Sequence, residues 1–221
     1  MHVKRISAPG EWRITRKHYK WAFSPTPGPY PKNSCIPLAA FLRDYIGVCD
    51  DAKEAKRIVA GRRVMVDGKI ITDPSFPLGL MSAVSVGDEH YRITLGYDGL
   101  RVTRIDAERA VTKLVRINNI MSVKGGKFQY VTHDGRSILL DEKRYATGTT
   151  LMIKVPEQEI MGAYELREGN TALITRGRHM GKTAKITGSR SQLGSVSNMV
   201  TFDGFEVPAQ LVFVLGGENY E

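Results

Sequence analysis

The sequence predicts an α+β, multi-domain chain: a small helical-hairpin module, then a β-rich, barrel-like central domain, then a smaller β-rich domain. Three observations predict it. Between Ile36 and Val86 two helical apolar periods run into a Val-Met-Val-Asp-Gly-Lys-Ile hairpin. From Asp88 to Glu165 short alternating segments recur between glycine turns, and from Glu168 to Gly216 further strands surround a glycine-rich basic loop. The boundaries that follow are 1–35 for a basic, Pro-rich N-terminal arm, 36–87, 88–165 and 166–221.

Composition narrows the partner before any motif is read. The 221 residues carry a net charge of +9 and an isoelectric point near 9.6, which points to a polyanion. Residues 1–35 hold Lys4, Arg5, Arg13, Arg16, Lys17, Lys20 and Lys32 against Glu11 alone. Residues 36–87 are nearly neutral, so a basic face there has to arise by segregation. No apolar run approaches the roughly 20 residues that span a bilayer, and the N-terminus lacks the apolar region of a secretory signal. The expectation is a cytoplasmic chain with no membrane partner. Cys35 and Cys49 are not spaced as Cys-x-x-Cys, so zinc and a disulfide are both poorly supported and the two read as small buried residues. No metal, cofactor or small-molecule substrate is expected, and outside its complex the chain is expected to be monomeric.

The arm has no sustained period. It mixes its cations with Trp12, His18, Tyr19, Trp21, Phe23 and Tyr30, and Ser24 to Pro31 reads as stiff polyproline-like chain. It is expected to be poorly ordered alone and to fold against RNA, with Arg and Lys neutralising phosphates and Trp and Tyr stacking on unpaired bases. For Trp21 and Phe23, covering the body of the protein is an equal alternative.

In the next module Leu38, Phe41, Leu42 and Tyr45 share a helical face, and Pro37 suits a first turn. Asp51 with Glu54 three residues later resembles a capping box. Ala52, Ala55, Ile58 and Val59 form the apolar stripe of a second helix, with Gly61 as its stop. Asp67-Gly68 between Val64-Met65-Val66 and Ile70-Ile71 is a two-residue hairpin signal. Lys53, Lys56 and Arg57 fall at i, i+3 and i+4, so they share one helix face; Arg62 and Arg63 follow at its exit and Lys69 lies on the hairpin. A lone charge run is usually a solvated face. This one joins a basic loop in a basic chain, which favours a phosphate backbone.

Strands are predicted over 91–95, 100–105, 113–120, 128–132, 137–140 and 151–155, with a helical turn at 106–111. His133 beside Asp134 has no nucleophile context, and His90, His133 and His179 read as turn residues. Asp98, Asp106 and Asp134 are the candidate acids of an enzyme reading, and all three read as surface residues. In the last domain Gly169 to Thr175 is a turn and strand, Val200 to Pro208 a hairpin, and Leu211 to Gly216 the closing strand. Between them Arg176, Arg178, Lys182 and Lys185 charge a loop whose glycines are expected to leave backbone N–H groups open to phosphate. Gly177 to Thr183 has three residues between its glycines where a nucleotide P-loop has four, so NTP binding is not expected.

These residues resemble a family. The two helices, the Val64–Ile70 hairpin and the Asp73-Pro74 exit resemble the S4-type RNA-binding motif, with Ile36-Pro37-Leu38 in place of the usual Arg-Leu-Asp opening. Arg176 to Gly188 resembles a KOW motif, which implies a small SH3-like β-barrel. The variant opening, His2 to Ile6 with Ala8-Pro9 and Trp12, Ser24-Pro25 through Gly28-Pro29, and Arg116-Ile117 with Val131 to Arg136 resemble the S-four-e family. These are the archaeal and eukaryotic proteins four of the small ribosomal subunit. Eukaryotic members continue with a basic tail; this chain stops soon after Gly216, as on the archaeal side.

The resemblance implies a structural rRNA-binding constituent of the small ribosomal subunit, not an enzyme. Its implied partners are small-subunit rRNA and neighbouring ribosomal proteins. The residues expected at RNA are Lys53, Lys56, Arg57, Arg62, Arg63 and Lys69, then Arg176, Arg178, Lys182 and Lys185, then Lys4, Arg5, Arg16, Lys17 and Lys20; no catalytic residue is expected. Two other classes compete. A pseudouridine-synthase-like enzyme with an S4-type appendage needs a catalytic domain within 88–165, and a uridine isomerisation assay tests it. A KOW-type transcription regulator is separated by ribosome co-sedimentation.

Overall fold

The structure, a computed structural model, describes residues 3–17, 20–192 and 197–216. Two compact units divide the chain. The first runs to Lys113 and takes in Val155–Glu157; the second holds Leu114–Lys154 and the residues from Gln158 onward.

In the first unit, Leu38–Ala40 and a turn of π-helix, Phe41–Tyr45, precede the nine-residue helix Ala52–Ala60. Ile36, Leu38, Phe41, Leu42, Ala55 and Val59 are fully buried and meet Val64, Leu78, Val84 and Ile93 in one core. The apolar periods predicted for both helices are thus the faces that pack. The Asp67-Gly68 turn has φ of 48° and 75°, the left-handed pair a two-residue hairpin requires, and sets Met65 opposite Ile70. A Cβ on Gly68 would also sit 2.9 Å from the ring of Pro156.

Beyond the hairpin the strands continue across residues 87 and 88. One antiparallel sheet of five strands runs Lys69–Ile70, Val64–Val66, Ala83–Val86, Glu89–Gly96, Gly99–Ile105. Its last two strands bury Ile93 and Leu100 in the same core as the helices. The turn at Gly87-Asp88 is an ordinary hairpin, and its glycine and acid look like a linker only along the chain.

The arm is not the loosely ordered segment expected. Among the described residues it is packed onto the first unit. Val3–Lys4 pairs with Trp21–Ala22, while Ala8, Trp12 and Ile14 form a small core with Ala22 and Tyr45. Leu100 N–H donates to the Glu11 carbonyl, and Thr26 N–H to that of Ser75. The Tyr30 ring occupies the space a side chain at Gly79 would need, and its hydroxyl donates to the Leu80 carbonyl. The segment lacks periodicity because tertiary contacts organise it. His18, counted among the arm's aromatics, and Tyr19, expected to take part in base stacking, lie outside the described residues.

In the second unit one five-stranded sheet runs, in spatial order, Ser137–Leu140, Lys127–Thr132, Thr112–Val123, Thr150–Lys154, Glu159–Tyr164. The last of these strands was not predicted. A second sheet runs Phe205–Pro208, Met199–Phe202, Thr183–Arg190, Thr171–Ile174, Val212–Gly216 around Ala172, Ile174, Ile186, Val200, Phe202, Val207, Val212 and Val214. Arg116 donates to the carbonyls of Gln210 and Val212, and burial lowers its pKa. His133 packs edge-on against Phe213 and accepts from Arg116 N–H. Asp134, predicted at the surface, is buried: it accepts from Thr132 Oγ1 and from Arg136 Nε at 2.8 Å.

Candidate nucleic-acid interface

The Ala52–Ala60 helix turns Ala55 and Val59 inward, so its other side is left with Lys53, Lys56 and Arg57, all exposed. The capping box is one-sided: Asp51 makes no side-chain cap, while Glu54 reaches back to accept from Asp50 N–H at 3.1 Å. Gly61 ends the helix by donating to the Arg57 carbonyl at 2.9 Å, but its φ is −69°. Arg62, not the glycine, takes the left-handed conformation, with φ 57°. The chain thereby reverses on a cation, with Arg63 next to it; both are exposed, as is Lys69 on the hairpin.

Among the described residues none of the side chains of Lys53, Lys56, Arg57, Arg62, Arg63 and Lys69 has an ion pair or hydrogen bond. Cations nearby in the sequence are used differently. Arg43 pairs with Asp44, Arg13 and Arg101 with Asp98, and Arg104 with Glu89. Within residues 36–105 the cations therefore divide into bonded ones and a solvent-facing group on one helix, its exit and the following hairpin. An unpaired surface cation has no partner to give up when it meets a phosphate, which is the electrostatic condition for counterion-releasing RNA contact.

The arm cations divide. Lys4, Lys17 and Lys20 are exposed. Arg5 is not available to RNA: it is 1 % exposed, and its guanidinium bonds Thr15 and forms a 2.9 Å ion pair with Asp44. Arg16 also serves the fold, donating to the carbonyls of Ala8 at 2.9 Å and Pro9 at 3.0 Å. Both corrections have one cause: the folded chain brings three acceptors to each guanidinium, and local sequence does not show them.

In the second unit Arg176, Arg178, Lys182 and Lys185 are exposed on and beside the loop that precedes Thr183–Arg190. Gly177 and Gly181 have φ of 90° and 77°. Three of the loop's amides, expected to be open, bond internally: Met180 N–H donates to the Gly177 carbonyl, Gly181 to that of Ile174 and Lys182 to that of His179. These bonds close the loop, and its side-chain cations face solvent. His179 stacks on Phe205 with ring centres 4.3 Å apart, bracing it.

Sequence reasoning did not single out Arg43. It lines a slot with Trp21, Ala22, Phe23, Ala52 and Lys56. These come from three separate stretches, so no spacing rule gathers them.

The comparisons with known proteins follow the same modules. Residues 1–33 match the RS4NT domain, 36–84 the S4 domain and 87–160 a profile described as ribosomal family S4e. "Small ribosomal subunit protein eS4" of Ignicoccus hospitalis is 36% identical over 99% of this chain and 92% of its own length. The protein of that name from Methanocaldococcus jannaschii is also 36% identical, over 99% of this chain and 95% of its own. A crystal structure of 30S ribosomal protein S4e from Thermoplasma acidophilum superposes with a TM-score of 0.72 at 30% identity, covering 83% of this chain and 95% of that one. The chain belongs to the S4e family of small ribosomal subunit proteins.

Proposed function

We propose that the chain is a structural constituent of the small ribosomal subunit and that it holds rRNA by charge and shape, without chemistry. The observation that supports this reading most is the set of exposed, unbonded cations Lys53, Lys56, Arg57, Arg62, Arg63 and Lys69 on one continuous segment of the first unit. The loop cations Arg176, Arg178, Lys182 and Lys185 supply a second set, read as belonging to an SH3-like KOW barrel. Sets of modest strength on one chain raise each other's effective concentration, so together they bind tightly. Phosphate contacts position such a protein and make binding steeply salt-dependent. The ordinary partners are small-subunit rRNA and neighbouring proteins, and the place is the cytoplasmic ribosome. The acids of the enzyme reading have structural work: Asp98 is held between Arg13 and Arg101, and Asp134 by Thr132 and Arg136.

Charge reversal of Lys56 and Arg57 to Glu tests the face. Removing two phosphate contacts is expected to weaken binding to small-subunit rRNA and to flatten the slope of log affinity against log salt by about 0.7–0.9 per contact. An unchanged slope would exclude this face. Sedimentation of the tagged chain with small subunits through a high-salt wash checks the ribosomal assignment.

A further inference from the structure

We propose that the imidazole of His179 is a stacking platform for one unpaired nucleobase of an RNA strand. This rests on the RNA-binding reading above and gives it a component that is not electrostatic. Three rings in the second unit lie nearly parallel. Phe202 and Phe205 pair across a hairpin with ring centres 5.2 Å apart and planes 18° apart. His179 lies over Phe205 at 4.3 Å and 20°. Burial falls along the series: Phe202 is 2% exposed in the core of its sheet, while Phe205 and His179 are half-buried. The imidazole is therefore the outward end of the stack. Among the described residues its one ring contact is Phe205, and its side chain makes no hydrogen bond. Neither ring nitrogen is buried without a partner, so the polar edge of the ring reaches solvent.

The loop that carries His179 suits this use. The His179 carbonyl accepts from Lys182 N–H at 3.1 Å, and Gly181 N–H donates to the Ile174 carbonyl at 2.9 Å, so the ring is placed before a ligand arrives. A platform fixed in advance spares the ligand the cost of ordering it. Arg176 and Arg178 precede the histidine, Lys182 follows it, and all three are exposed. Among the described residues the side chains of Arg176 and Arg178 have no ion pair or hydrogen bond, and Lys182 Nζ lies 5.9 Å from the Phe205 ring centre. Residues 175–187 contain no carboxylate. Asp203, in the turn between the two phenylalanines, is exposed, so phosphates are expected on the loop side of the ring. Imidazole is one of the rings on which splayed bases stack, and cations beside it hold the adjoining phosphates. An acidic peptide would use the cations and leave the ring idle, whereas a nucleotide uses both. Paired bases inside a duplex do not present a free face, so the ligand is a bulged, looped or single-stranded nucleotide.

The test uses the full chain, titrated with an unstructured uridine oligonucleotide and with a blunt RNA duplex. The imidazole proton signal of His179 is the one absent from the spectrum of His179→Phe. The expected result is an upfield move of that signal with the single strand, the ring current of a stacked base, and none with the duplex. His179→Ala is expected to weaken the single strand by roughly 5- to 150-fold with the salt slope preserved, the loss of one stacked base. The duplex is expected to bind His179→Ala nearly as it binds the wild type, and His179→Phe to keep most of the single-strand affinity. Arg176→Gln with Arg178→Gln is expected to do the opposite, lowering the slope for both RNAs. An equal loss for single strand and duplex in His179→Ala, or an imidazole signal that does not move upfield, would make His179 a brace of its loop and overturn the proposal. If His179→Ala binds the single strand as the wild type does while reversal of Lys56 and Arg57 still weakens it, the base site is wrong and the phosphate face stands. If neither the His179 variants nor the Lys56 and Arg57 reversal changes RNA binding, the proposal and the function reading fall together.

Discussion

Lys113 and Asp67 form an ion pair of 2.6 Å, with side chains 1% and 9% exposed. Lys113 Nζ also lies 3.2 Å from the Tyr30 hydroxyl, and the second Asp67 oxygen accepts from Ala83 N–H. One buried charge thus ties the arm, the hairpin turn and the start of the long strand. Such a pair adds little relative to an apolar substitute, but breaking it leaves a charge stranded. Lys113→Met is expected to destabilise the first unit by about 3–5 kcal/mol in chemical denaturation. Adding Asp67→Asn, which retains an acceptor for Ala83 and tolerates positive φ, is expected to recover much of that loss; no recovery would show that packing, not charge, is at stake. Two other buried groups set a pH limit. Burial, helped by Glu11, pushes the Cys35 thiol from 9.0 up to about 12. Burial likewise pushes Tyr45 from 10.0 to about 12, against the N–H of Arg13 that it accepts. Each group is protonated in the fold at pH values where the unfolded chain has lost its proton. Their contribution is therefore complete below the unfolded values and is lost as pH rises toward the folded ones. Denaturation midpoints are expected to hold to about pH 8.5 and to fall from pH 9 to 12, and Cys35→Ala is expected to make the early part of that fall shallower.

At the scale of elements, the Ala52–Ala60 helix joins the core to a solvent-facing cation stripe through opposite faces. Its apolar side is fixed by Ala55 and Val59, so the cations have no choice of direction. Its exit is less economical. A non-glycine residue in the left-handed region costs about 1–2 kcal/mol, and Arg62 occupies it directly after a glycine that does not. The strained position is the one that carries a charge outward. Arg62→Gly is expected to raise the thermal midpoint slightly, by up to a few degrees, and at the same time to lower RNA affinity and reduce the salt slope by about one contact. A variant that is more stable with RNA binding intact would remove Arg62 from the interface. The loop before Thr183–Arg190 shows the reverse design: its left-handed positions fall on Gly177 and Gly181, and its cations lie at other residues.

For the whole molecule, the sheet that crosses Gly87 decides what folds together. Cutting after residue 87 would strip Ile93 and Leu100 from a core they share with both helices. A fragment of residues 1–87 is expected to lack cooperative unfolding, while residues 1–113 are expected to retain it with the Asp67–Lys113 pair in place. Circular dichroism melts of the two fragments check this, and a cooperative 1–87 would show that the helices and hairpin fold without the last two strands. Much was legible beforehand. The Asp67-Gly68 turn, the two helices, the outward stripe of Lys53, Lys56 and Arg57, and most strands follow from periodicity and turn chemistry, which act between neighbours in the chain. The helix cations of the candidate interface were legible for the same reason: burying Ala55 and Val59 forces Lys53, Lys56 and Arg57 outward. What the chain could not show by itself was which charges are spent inside. Arg5 finds Asp44 39 residues away, and Lys113 finds Asp67 46 residues away. The slot needs Trp21, Arg43 and Lys56 from separate stretches. Local sequence determined the elements and the direction of their faces. Tertiary structure decided which residues remain free to bind, because burial and pairing depend on partners that only folding brings together.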